Sequence, residues 1–168
     1  MENCDKRVIT VLLTRYYSTF SNFIYFVSGK GYTHASIALD DENEYFYSFN
    51  FNGFKKEYPK KHMRRSGRSV SYQLEVSKED FEKISRKVLE MENRKEQFHY
   101  SRLGVIFCLM RIPFRRKNHY FCSQFVAEML KMSREVLLGR DSSLYLPNDL
   151  PNELERQSCL KRIVYNPV

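Results

Sequence analysis

Hydrophobic positions along the chain switch between a period of two and a period near 3.6, and the switches mark its elements. Residues 7–14 form a short apolar, β-branched run, the pattern of a buried strand. Hydroxyls at 18–21 offer an N-cap to a short helix over 22–27, which Ser28-Gly29-Lys30-Gly31 stops. Residues 33–39 alternate, with His34, Ser36 and Ala38 on one side and Ala35, Ile37 and Leu39 on the other. A polar turn at 40–43 leads into a Tyr- and Phe-rich strand over 44–51, so the two strands read as a hairpin that Asn52-Gly53 ends.

Lysine and arginine crowd residues 55–68, which read as a basic loop. Alternation resumes over 69–76 as a third strand. Ser77 and Asp80 then form a capping arrangement for a helix that carries Phe81, Ile84, Val88, Leu89 and Met91 and runs to about Asn93. A more apolar helix over 100–111 ends at the approach of Pro113. The next helix, 122–132, places Phe125, Val126, Met129 and Leu130 on one face. Pro147 and Pro151 bracket a loop and a short helix near 152–157, and 160–165 is the last predicted strand. The 168 residues suffice for one domain with a sizeable core, and no internal repeat is present.

Composition sharpens this only in places. The four cysteines are scattered without a CxxC pair, which suits free thiols in a reducing compartment and argues against a zinc ribbon. Residues 8–13 are too short for a signal core and 103–112 too short to span a bilayer, so a cytoplasmic protein is expected. The net charge of +8 points to anionic partners; the 55–68 segment reads first as a solvated basic loop, with contact to an anionic surface as the second reading. No zinc finger, RNP pattern or basic heptad is present, so no specific nucleic-acid partner is expected.

The chemistry centres on Cys122, which opens an apolar helix. A thiol there sees the positive end of the macrodipole and unpaired backbone N–H groups, and both favour the nucleophilic thiolate. Thiol catalysis also needs a base and a group that fixes it. His34 is the candidate base. If Leu39 and Tyr45 pair across the turn, His34 lies opposite Asn50 and Ser36 opposite Ser48; a register two residues tighter sets His34 against Ser48. Ser48 and Asn50 are therefore the candidates to orient the imidazole, and Glu44 lies too near the turn. Backbone N–H groups at Cys122 are the preferred oxyanion donors, ahead of Tyr16 and Tyr32. Cys108 reads as a core residue, Cys4 and Cys159 as structural or exposed, and His62, His99 and His119 as surface residues. Gln124 belongs to the solvent face or to packing.

Three stretches carry a family resemblance: Tyr32-Thr33-His34-Ala35-Ser36-Ile37-Ala38-Leu39, Tyr47-Ser48-Phe49, and Phe121-Cys122-Ser123-Gln124-Phe125-Val126-Ala127. Together they resemble the circularly permuted branch of the NlpC/P60 papain-like superfamily, which includes YiiX-like proteins and lecithin:retinol acyltransferase-like enzymes. In that branch a strand histidine precedes the helix-start cysteine. The resemblance implies an α+β, papain-like fold, an antiparallel sheet packed against helices with the cysteine at a helix N-terminus. It also implies a Cys-His site acting on amide, ester or thioester bonds, in peptides or lipids, with no metal or organic cofactor. The third group matches Ser48, with Asn50 as the alternative. Serine departs from the commoner His or Glu there, which favours a Cys122–His34 dyad. The expected function is a cysteine hydrolase or acyltransferase; the alternative is a weakly active or inactive binding or regulatory protein on the same scaffold.

Overall fold

The longest apolar run makes the centre of the sheet. Strand β1 (Lys6–Tyr16) buries the consecutive residues Ile9, Thr10, Val11, Leu12, Leu13 and Thr14, on both faces, which accounts for a run without strict alternation. It lies between β2 (His34–Ala38) and β5 (Ser66–Ser77). Adding β3 (Phe46–Asn50), β4 (Gly53–Glu57) and β8 (Leu160–Tyr165) gives a six-stranded sheet of order β4-β3-β2-β1-β5-β8. Every neighbouring pair in it is antiparallel. The computed structural model describes residues 5–16, 19–59 and 66–168. The chain is thus α+β, an antiparallel sheet accompanied by helices α1 (Thr19–Val27), α2 (Lys78–Asn93), α3 (Arg102–Leu109), α4 (Cys122–Leu130) and α5 (Leu150–Leu154). No helix among the described residues is long and apolar enough to cross a membrane.

The hairpin register is Ile37↔Tyr47, the pairing that Leu39 opposite Tyr45 requires. Asn52-Gly53, however, does not end the sheet. Gly53 adopts a φ of +89°, and a Cβ there would meet the Phe98 carbonyl oxygen at 2.5 Å, so the position demands glycine. The chain turns through it and returns as β4, paired from Asn50↔Gly53 to Phe46↔Glu57. The first residues of the expected basic loop are therefore an edge strand. Lysine is common on such edges because its charge blocks pairing with another chain, and that charge masked the strand pattern. Residues 60–65 of the expected loop, with His62, lie outside the described residues, as does Cys4.

On α2, Ser77 Oγ accepts from the Asp80 N–H at 3.3 Å and caps the helix as expected. Phe81, Ile84, Val88 and Met91 are buried, whereas Leu89, one position past that stripe, is exposed. Helix α3 starts later than its apolar pattern suggests. His99 and Tyr100 pair in parallel with His119 and Tyr120, making strands β6 (His99–Tyr100) and β7 (His119–Tyr120), and Ser101 then caps α3 through the Gly104 N–H at 3.1 Å. This small ladder ends one residue before the α4 N-cap, Phe121, and so aims the start of α4. Phe125, Val126, Ala127, Met129 and Leu130 of α4 join Ala35, Ile37, Tyr47 and Phe49 in the main core.

Candidate active site

Cys122 is the first residue of α4. Phe121 at the N-cap is extended (φ −106°, ψ 164°) and offers no side-chain cap, so the first-turn N–H groups keep their donor capacity. His34 is the first residue of β2, opposite Thr14 of β1. The Cys122 thiol is near enough to act on its ring, and both side chains line one cavity. Its Nε2 lies 2.9 and 3.1 Å from the two carboxylate oxygens of Glu57, the last residue of β4. A carboxylate only accepts, so Nε2 carries the proton and Nδ1 is the nitrogen left to face sulfur. Tyr16 packs edge-on against the imidazole with centroids 4.9 Å apart, which fixes the ring plane.

Burial is the largest influence on His34 and by itself lowers its pKa. The Glu57 carboxylate and the contacts with Cys122 outweigh it, and the result lies well above the ordinary 6.5. Side-chain exposures of 9% for His34 and 15% for Glu57 leave little water to screen the pair. The imidazole is thus held by a carboxylate in the cavity that Cys122 also lines.

Ser48 and Asn50 are not on the imidazole. Ser48 Oγ donates to the Ala35 carbonyl at 2.6 Å, fully buried. Strands β2 and β3 share a single ladder pair, so this side-chain bond does the joining that backbone groups leave undone. Asn50 lines the cavity, but its Oδ1 accepts from the Asn52 N–H at 2.9 Å and secures the β3–β4 turn. Both residues hold the strands that carry the site. The orienting group is Glu57, which sequence reasoning left in a loop.

A flat sheet would not bring Glu57 to His34. The registers set Glu57 level with Phe46 and hence with Ala38, four residues along β2 from His34. That is about 13 Å along the strand and about 10 Å across two strand spacings. The 2.9 Å contact therefore requires the sheet to coil. Residues paired across the ladders share a face. On the face of His34 and Glu57 those buried residues are mostly small: Thr10, Ser36, Ala38, Ser48 and Ser71. Small side chains on the inside of the curve let it close. The available signal was Asn52-Gly53, a hairpin-turn dipeptide.

A cavity of about 490 Å³ opens over Cys122, His34 and Glu57. Ile24 of α1, Val105 of α3, Phe121 and Leu146 give it an apolar wall, and Lys55 adds an amine from β4. Tyr16 borders this space. Tyr32 does not; it lies near Arg68, whose guanidinium is 6.0 Å from its ring. Tyr100 also lines the cavity, and burial, with Cys122 adding to it, raises its phenol pKa, so it stays a neutral O–H. His119, three residues before Cys122, instead sets Nδ1 2.8 Å from the Lys117 carbonyl oxygen and its ring 5.1 Å from His99. Gln124 is buried on the first turn of α4. Among the described residues no cluster of His, Cys, Asp and Glu has the geometry to hold a metal ion.

Comparison of the chain with protein-family models, with curated proteins and with solved structures returns no match. The chemistry rests on the geometry of the site.

Proposed function

We propose that the chain is a cysteine-dependent hydrolase or acyltransferase of the permuted NlpC/P60, papain-like kind. Cys122 is its nucleophile, His34 its general base and acid, and Glu57 the residue that positions His34. One observation carries this reading: an imidazole held by a half-buried carboxylate stands with a helix-start thiol at an open, partly apolar cavity. The fold supports it in two respects. The sheet is antiparallel with the cysteine helix packed on it, and the histidine strand precedes that helix in the chain.

The steps follow from the arrangement. The thiol proton passes to Nδ1 of His34 as sulfur bonds the acyl carbon, and backbone N–H groups at the start of α4 receive the oxyanion. Collapse breaks the amide or ester bond, and His34 returns its proton to the departing amine or alcohol. The resulting thioester is then attacked by water or by an acceptor amine or alcohol, which His34 deprotonates, and Cys122 is released. Glu57 keeps Nε2 protonated and stabilises the imidazolium formed in each half-reaction. The carboxylate also supplies the strong third group that a serine at position 48 would not.

The test is to offer the protein a panel of activated amides, esters and thioesters and to read acylation of Cys122 by intact-mass spectrometry. A Cys122 adduct that His34→Ala abolishes is expected. No adduct from any member, together with Cys122 alkylation indifferent to His34→Ala, would sink the proposal.

A further inference from the structure

Large apolar side chains left at the surface are unevenly spread. Among the described residues, Phe23 and Val27 of α1 are 52% and 48% exposed, and Leu103, Ile106 and Met110 of α3 are 51%, 51% and 59% exposed. Ile112, just beyond α3, is 43% exposed. The spacings 23/27 and 103/106/110 each trace one face of a helix. The inner faces of the same helices, through Ile24, Val105 and Cys108, join one buried cluster with Phe121 and Leu146, so both stripes lie on helices that border that cluster. Ile24 and Val105 also line the cavity over Cys122, so the stripes flank that cavity.

Charge is segregated in the same place. Residues 97–127 contain five Lys or Arg and no Asp or Glu, although Arg111 is engaged by Asp149 from outside that run, and Arg15 and Lys30 flank α1 with no acid between them. Arg102 stands 5.3 Å from the ring of Phe51 at the cavity lip. The basic turn Arg115-Arg116-Lys117 follows Phe114, which stacks on Phe107 of α3 at 4.6 Å, so that turn lies beside α3. Arg115 is engaged by Glu128 and Asp141, but Arg102, Arg116 and Lys117 have no ion pair among the described residues.

We propose that the α1–α3 face docks on an anionic phospholipid bilayer, with the cavity opening toward the lipid. A helix of eight residues is too short to span but long enough to lie in the interface with Leu103, Ile106 and Met110 downward. The surrounding guanidinium and ammonium groups match lipid phosphates, and no acid in these segments opposes them. A second copy of this chain would bring the same positive field against itself, which disfavours a dimer here. The docking does not depend on the thiol chemistry.

The chain contains no Trp, so Ile106→Trp provides a single fluorophore on this face. In the full chain, vesicles of phosphatidylglycerol in phosphatidylcholine should shift its emission to the blue, and brominated acyl chains should quench it. Pure phosphatidylcholine should bind at least about 10-fold more weakly, and added salt should weaken the anionic case. Leu103→Ser with Met110→Ser, and separately Arg116→Gln with Lys117→Gln, should each cost roughly 10-fold in co-sedimentation with the anionic vesicles. Cys122→Ala should co-sediment like the unaltered chain even if no acylation is ever found. The proposal fails if anionic vesicles leave the Trp emission unchanged, or if brominated chains do not quench it. It also fails if the Leu103 and Met110 substitutions dissolve a dimer in sedimentation velocity while vesicle binding persists.

Discussion

Cys108 and Cys122 lie in consecutive helices and are both buried, yet they occupy opposite chemical situations. Cys108 is next to the last residue of α3, at the negative end of that helix, packed among Ile24, Val105, Phe121 and Leu146. Burial, with the Asp149 carboxylate adding to it, pushes its pKa up to about 12. Cys122 is the first residue of α4, beside unpaired N–H groups, an imidazole and a cavity. Burial alone makes a thiol inert packing material. Which end of a helix it occupies, and whether a base faces it, separates the two.

The largest effects should come from removing that difference. Cys122→Ala or His34→Ala should eliminate acylation, a loss on the order of 10⁶-fold where triad members act as a unit. Cys108→Ala should leave acylation intact. Alkylation of the native protein, mapped by peptide mass, should label Cys122 and spare Cys108 until the chain is unfolded; equal labelling of the two would erase the contrast.

Glu57→Gln should be next, costing roughly 10²- to 10⁴-fold in kcat with the nucleophile still present. It should also move the pH profile. His34 has its folded pKa raised above the ordinary 6.5, chiefly by Glu57 against the effect of burial. The imidazolium therefore contributes stability that is fully present below 6.5 and is lost as pH rises through the folded value. Removing the Glu57 charge lowers that value, so the acid limb of activity, where His34 must lose its proton to act as base, and the alkaline loss of stability should both shift to lower pH. An unshifted profile would mean that Glu57 only packs.

Smaller effects test the scaffold under the site. Gly53→Ala should destabilise the fold by about 2 kcal/mol or more, since it combines a positive φ with a backbone clash at Phe98. Activity should fall with it because β4 carries Glu57. Ser48→Ala should cost about 1–2 kcal/mol by orphaning the Ala35 carbonyl, with less than about a tenfold loss of activity. Cys108→Ala should cost about 1 kcal/mol from the small void it leaves. Chemical denaturation read by circular dichroism checks all three.

Elements with a strong local signature were legible along the chain. The β1 run, the capped α2 and the last strand over Leu160–Tyr165 each follow from neighbours within a few positions, whereas the structure chose between the two β2–β3 registers left open. So does the placing of Cys122 at the start of α4, because the apolar face that follows it has a helical period. Strand β4 and the β6–β7 ladder were not legible, since Lys55 and Lys56 hide the one and the other is two residues long with partners far away in the chain.

The amino-acid order alone determined a helix-start thiol, a strand histidine and their two elements, because period and capping act locally. Only the tertiary structure decided that Glu57, not Ser48 or Asn50, holds the imidazole. Sheet coiling is a sum over several strands and their small inward side chains, and no stretch of a few residues encodes it.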